Sequence, residues 1–391
     1  MYLSQTILPL TILAAAAVRA SVLDATPDAA ANNVTAPSIT GRNCSEFYIT
    51  VDVSAETEKL NVTAPANQFE LTDLVTTLAS VNVPMQSLST GTVQLNATYK
   101  IWSQLCVPTG FTANGTLEFA IHGINFDHSY WSFDGPGSKY NYVDAALKAG
   151  HAIFTYDRLG VGRSSKPNGI TEVQISTEIA IAAALVDKVK QKLQFKNIVG
   201  IGHSFGSIQL TRIANKYGNL FHGMVLTGFS TNTQGLPATT AGFGLEIASQ
   251  QNPLRFGSLS TSYLATGGIV NDQQLFFYAP NTKLRVLQLT ENTKATLTIG
   301  ELLIQNPVAA PTYTNPVYIV TGDRDFIFCG GNCSVSTNGS SDLLQPSKSL
   351  FPGVSDFSTY VAPNVGHGIN QHENAPAVYE KMEQWIVQRF Q

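Results

Sequence analysis

The chain has 391 residues, 43% of them hydrophobic and only 13% charged, so it holds enough apolar material for a large core, and disorder over most of its length is excluded. The net charge is −4 and no basic run or stripe occurs, which excludes nucleic acid as a natural partner. Length alone allows one large α/β domain with an insertion, or two ordinary domains.

In chain order, Ile7 to Val18 is an apolar stretch of signal-peptide length, followed by Val18-Arg19-Ala20 with a cleavage-type pattern. The stretch is too short for a good membrane span, so residues 1–20 are expected to be a signal peptide on a secreted protein with no stable membrane anchor. Residues 21–43, rich in Ala, Asn, Thr and Pro, read as a flexible N-terminus. Asn-x-Ser/Thr sequons stand at Asn33, Asn43, Asn61, Asn96, Asn114, Asn332 and Asn338, which fits passage through a glycosylating compartment.

Phe47 to Val53 alternates as a strand, and Thr92 to Val107 forms a longer one. Antiparallel pairing of the two brings Cys44 and Cys106 to the same end and favours a disulfide between them. Cys329 and Cys333 form the second pair by position, although four cysteines allow three connectivities. From there strands alternate with helices. Leu117–Ile121, Ala152–Tyr156, Asn197–Gly202, Met224–Thr227, Val317–Thr321 and Thr359–Ala362 read as strands. Tyr142–Ala149, Glu172–Leu193, Ser204–Tyr217 and Ala375–Phe390 read as helices. This rhythm predicts an α/β domain over residues 44–391, with a mostly parallel sheet covered by helices on both faces. Residues 231–315 break the rhythm. They carry Phe243, Leu245, Phe256, Tyr263, Phe276, Phe277 and Tyr278 with few charges, and read as an inserted cap region.

The strongest chemical signal is Gly202-His203-Ser204-Phe205-Gly206, between a buried strand and a helix. A sharp turn there projects a serine from the strand end, and glycine at the flanking positions removes collisions with the backbone. The following helix aims its N-terminal amides at developing negative charge. A serine hydroxyl needs a base to become a nucleophile. In the order Ser, acid, His, the candidates are His367, in Gly366-His367-Gly368 past a strand end, and Asp325, in Gly322-Asp323-Arg324-Asp325. Asp323 competes with Asp325, and His372 with His367. The Phe205 and Ile124 amides are the expected oxyanion-hole donors, with His122 and Asn125 adding a side-chain bond or bracing the loop. No cofactor or metal is called for.

The His122-Gly123 loop, Asp157-Arg158-Leu159-Gly160-Val161-Gly162-Arg163-Ser164, Gly202–Gly206, Gly322–Asp325 and Gly366-His367, taken in order, resemble the α/β-hydrolase superfamily from about Thr92 to the C-terminus. With the signal, sequons and cysteines, the chain looks similar to secreted fungal serine esterases and hydrolases. The resemblance implies that Asp157–Ser164 is a structural loop beside the active site. The oxyanion loop lacks the multi-glycine run of some lipases, and a serine nucleophile argues against epoxide hydrolase and dehalogenase chemistry. The expectation is a secreted serine hydrolase that cleaves a small, apolar carboxylic ester or lactone through an acyl-enzyme on Ser204. The alternatives are a peptidase or amidase of the same fold, and a non-catalytic binding protein of the same fold.

Overall fold

The computed structural model describes residues 42–80, 88–112, 115–232, 235–303, 306–335 and 339–391. The signal segment, most of the N-terminal tail, and Asn33, Asn114 and Asn338 lie outside the described residues.

The chain opens with a long antiparallel hairpin, β1 (Arg42–Leu60) and β2 (Ser89–Pro108). Ile49, Val51, Val53 and Ala55 are buried on one parity of β1, while Thr50, Asp52, Ser54 and Glu56 face solvent. Cys44 lies opposite Cys106 in this register and is disulfide-bonded to it. Helix α1 (Gln68–Ala79) follows β1, with the Asn67 side chain capping its Glu70 amide.

The rest of the main sheet comes from β3 (Thr116–Ile121), β4 (Ala152–Tyr156), β5 (Asn197–His203), β6 (Gly223–Thr227), β10 (Val317–Gly322) and β11 (Phe357–Ala362). The strand order is β1-β2-β4-β3-β5-β6-β10-β11. All pairs from β4 to β11 are parallel, and β1–β2 and β2–β4 are antiparallel. Every residue of β3, β4, β6 and β10 is buried, as a parallel sheet covered on both faces requires. The connecting helices are α2 (Tyr142–Ala149), α3 (Ile175–Lys192) and α4 (Phe205–Tyr217), with α12 (Ala375–Phe390) closing the chain. Helix α2 stops at Gly150, which takes a left-handed φ of 90°.

Between β6 and β10 the chain forms α5 (Leu236–Gly242), β7 (Glu246–Ile247), α6 (Ala248–Gln251), α7 (Pro253–Phe256), β8 (Tyr263–Ala265), α8 (Ile269–Phe276), α9 (Leu284–Thr293), β9 (Leu297–Thr298) and α10 (Ile299–Leu303). The three short strands make their own antiparallel sheet, β7-β8-β9, which apolar periodicity does not reveal. Helix α1 packs against α5 and β7, so the N-terminal hairpin braces this insertion; Gln68 donates to Leu245 O and accepts from the Ile247 amide. Helix α11 (Phe326–Cys329) follows β10.

Because β3, β5, β6, β10 and β11 run parallel, their carboxyl ends open on one edge of the sheet. That edge is where open α/β sheets bind ligands. It carries His122–Asn125 after β3, Ser204 after β5, Gly228 after β6, Asp325 after β10 and His367 after β11.

Candidate active site

Ser204 sits at φ 55°, ψ −116°, a conformation an L-residue adopts only under strain. The turn that imposes it depends on its glycines. A Cβ on Gly202 would lie 2.7 Å from Ser207 Cα and N, and one on Gly206 would lie 2.1 Å from Ile121 O. Helix α4 therefore starts hard against the end of β3, and Phe205 is its first residue. The Phe205 amide has no intrahelical acceptor at that position.

The other loops close on this turn. A Cβ on Gly123 would touch Ser204 Cβ at 3.0 Å, so the His122–Asn125 loop passes directly beside the serine. Neither the Ile124 nor the Phe205 amide is taken by a backbone acceptor among the described residues. The His203 ring, one residue before Ser204, lies 4.9 Å from the His367 ring and stacks on Tyr130 at 4.2 Å.

His367 and Asp325 are both fully buried, with His367 Nδ1 2.7 Å from Asp325 Oδ2. A carboxylate only accepts, so Nδ1 carries the proton and Nε2 presents its lone pair. Nε2 is buried and has no hydrogen-bond partner among the described residues, Ser204 included. Asp325 is itself pinned, because its other oxygen accepts from the Phe328 amide as the N-cap of α11. Two further bonds cross this loop, Gly331 N to Asp325 O at 2.9 Å and Cys333 N to Asp323 O at 3.0 Å. Cys329 and Cys333 are joined by a disulfide immediately beyond.

The competing residues serve elsewhere. Asp323 accepts from the Val365 amide at 3.1 Å and lies 3.6 Å from Arg324. His372 accepts at Nε2 from the Gly366 and Tyr278 amides, so it braces the loop that carries His367. Burial holds His372 down at about 4 and His122 at about 3, and pushes His203 well below the ordinary histidine value.

The sequence reading missed a buried ion cluster beneath the oxyanion loop. Arg158 Nη1 lies 2.6 Å from both Glu178 Oε1 of α3 and Glu301 Oε1 of α10. Its guanidinium covers the Phe205 ring at 4.8 Å, and its amide donates to His122 Nε2 at 3.1 Å. The visible signal was a glutamate at position 178 in an otherwise apolar helix face. Two other clusters have side chains of metal-ligand type, Asp127–His128–Asp157 and Glu118–His151–Glu383. In each, a histidine Nδ1 hydrogen-bonds a carboxylate directly, at 2.6 and 2.8 Å, so both read as buried or half-buried ion pairs.

The sequence pattern of the alpha/beta hydrolase family matches residues 119–381, a span holding every strand from β4 to β11 and Ser204, Asp325 and His367. The chain belongs to the alpha/beta hydrolase family. Two solved structures of this fold are similar to it. One is a thermophilic esterase from Thermogutta terrifontis, at 14% identity and TM-score 0.50, covering 75% of this chain and 95% of that one. The other is a soluble variant of monoglyceride lipase from Saccharomyces cerevisiae, at 16% identity and TM-score 0.53, covering 75% and 93%. Likeness at this identity establishes the fold. A protein of Synechocystis sp. (strain ATCC 27184 / PCC 6803 / Kazusa), provisionally named non-heme chloroperoxidase, is 31% identical over 99 residues. That match spans 25% of this chain and 31% of the relative's length.

Proposed function

We propose that this hydrolase is a secreted serine esterase that cleaves small apolar carboxylic esters or lactones through an acyl-enzyme on Ser204. The observation that carries the reading is the buried Asp325–His367 pair, its Nε2 unpartnered, packed beside the strained serine turn. In this mechanism His367 Nε2 takes the Ser204 proton as Oγ attacks the carbonyl carbon. The Phe205 and Ile124 amides hold the oxyanion. His367 then returns the proton to the leaving alkoxide. Water, deprotonated in turn by His367, releases the acid and restores the serine. Asp325 keeps the imidazole in the useful tautomer and stabilises its cation.

Aromatic side chains around His367 support an apolar substrate. Phe276 of α8 and Phe328 of α11 each lie 5.9 Å from the imidazole, ring to ring, and Phe126 and Phe229 back them. Two disulfides and exposed sequon residues Asn43, Asn61, Asn96 and Asn332 support an oxidising, extracellular destination. No helix among the described residues is long and apolar enough to cross a membrane.

A panel of p-nitrophenyl esters, lactones and p-nitroanilides tests the reading, with Ser204→Ala beside the wild type. Turnover of short apolar esters or lactones, lost in the variant, is the expected result. Turnover confined to anilides would make the protein an amidase. No turnover of any class would favour a binding protein.

A further inference from the structure

Within the insertion between β6 and β10, one short helix touches both halves of the proposed catalytic machinery. At its carboxyl end α8 grips the histidine loop. Phe276 O accepts from the Gly368 amide at 2.8 Å, and a Cβ on Gly366 would lie 2.8 Å from Phe276 O and Tyr278 N. One turn earlier the helix presents Asp272, fully buried, to the oxyanion loop. Asp272 Oδ1 accepts from Asn125 Nδ2 and stands 3.0 Å from the Thr266 hydroxyl, which also lies 3.0 Å from Asn125 Oδ1. The Asn125 carbonyl accepts from the Ala295 amide at 2.9 Å. Asn125 itself sits at φ 71°, and it follows Ile124 directly. The left-handed conformation of a non-glycine residue persists only where its surroundings over-determine it. Here each polar atom of the Asn125 side chain, and its carbonyl, is held by the insertion.

We propose that Asp272 is a positioning residue for the oxyanion loop, holding Asn125 in its left-handed conformation so that the Ile124 amide faces the reacting carbonyl. This rests on the esterase reading given above.

The second oxygen of Asp272 gives the arrangement a property that a passive brace lacks. Asp272 Oδ2 and Glu291 Oε2 are both buried with no donor among the described residues, and the two carboxyl groups face each other. Two acceptors hold together only with a proton between them. Burial, then the neighbouring Glu291, push the Asp272 carboxyl up to about 7, while the Thr266 hydroxyl and the Lys294 ammonium oppose them. Lys294 reaches Glu291 Oε1 and Thr266 O, both at 2.8 Å, so one of the two carboxylates is balanced by it and the second is not. Loss of the shared proton on the alkaline side sets two carboxylates against each other behind Asn125. The loop support should then weaken, and the chemical step should slow, as pH rises above neutrality.

The experiment uses the full chain and p-nitrophenyl butyrate. It measures kcat per phosphonate-titrated active site, and KM, from pH 5 to 10, for wild type, Asp272→Ala and Asp272→Asn. Asp272→Ala should lose about 10²-fold in kcat, the scale of one oxyanion donor, with KM changed less than about threefold. Asn at this position can accept from Asn125 and donate to Glu291, as the neutral acid does. Asp272→Asn should therefore recover most of the loss and lack the alkaline decline of wild type. Titration of active sites removes any contribution from misfolded protein, and Asp272→Asn keeps the test open if Asp272→Ala does not fold. Asp272→Ala within threefold of wild type per active site, or an unchanged alkaline decline in Asp272→Asn, overturns the proposal. Wild type that neither hydrolyses the ester nor reacts with the phosphonate overturns the esterase reading itself, and this inference with it.

Discussion

Gly206→Ala is the most direct probe of the geometry at the serine turn. The added Cβ would lie 2.1 Å from Ile121 O, 2.8 Å from Ile121 C and 3.0 Å from His122 O. Real Cβ contacts are essentially never under 3.0 Å, and all three atoms are backbone with nowhere to rotate. The start of α4 and the end of β3 must separate by about 1 Å, a displacement that costs roughly 100-fold in rate when it falls on catalytic groups. Here it falls on both expected oxyanion donors, since Phe205 opens α4 and Ile124 follows β3 by three residues. The overpacking should cost about 1–3 kcal/mol of stability, which a domain of ordinary stability survives. Gly218→Ala is the control, with φ at +58° but no atom within 4 Å of the new Cβ. It should lose about 1–3 kcal/mol to backbone strain, since Gly218 pairs that φ with ψ −133°, while keeping kcat within twofold. Ester hydrolysis at saturating substrate, normalised to the folded fraction from circular dichroism, reads both. Gly206→Ala with kcat within threefold of wild type would refute the close-approach reasoning.

Three further outcomes follow from the same structure. Asp325→Asn should lower kcat on the order of 10⁴-fold by favouring the wrong imidazole tautomer, whereas Asp323→Asn, whose amide oxygen can still accept from the Val365 amide and which loses only the charge beside Arg324, should lose less than about tenfold; steady-state kinetics on both ranks them. Replacing Cys329 and Cys333 by Ser should cost about 2 kcal/mol in chain entropy against about 4 kcal/mol for Cys44 and Cys106, given sequence separations of 4 and 62; urea midpoints compare them, and the smaller ring should cost more in kcat because it abuts Asp325. His151, held between Glu118 and Glu383, is raised to about 10 despite burial, and Glu383 is raised to about 8 by burial and Glu118. The folded chain thus holds protons there that the unfolded chain has released. The His151 contribution is full below pH 6.5 and lost as pH rises through 10, so the melting temperature should fall across that window, and a flat curve from pH 7 to 10 would contradict the assignment.

Much of the sheet was legible because parallel strands buried on both faces read as short continuous apolar runs, as in Leu117–Ile121 and Ala152–Tyr156. The serine turn was legible because its five residues form one contiguous pattern between a strand and a helix; Gly202 is demanded locally by Ser207, whereas Gly206 is demanded by Ile121 O, 85 positions back. What escaped was set by distance or by polarity. Helix α1 exposes Phe69 and buries only Leu71 and Leu78 fully, too thin an apolar stripe to announce a helix. Strand β1 continues to Leu60 through Glu56 and Glu58, whose exposure on one face hides the strand from a hydrophobic scan. Strands β7 and β9 have two residues each, below any period. Arg158 meets Glu301 across 143 positions, and Asn125 meets Asp272 across 147, pairings that only the folded insertion reveals.

The claim on which the rest depends is that Ser204 is the covalent nucleophile. Treating the protein with a fluorophosphonate and mapping the adduct by peptide mass spectrometry tests it most directly. The expected result is a single phosphonyl group on the peptide carrying Gly202-His203-Ser204-Phe205-Gly206, formed in step with loss of esterase activity and absent from Ser204→Ala. Esterase activity that survives complete labelling, or an adduct on any other serine in step with inactivation, would contradict it.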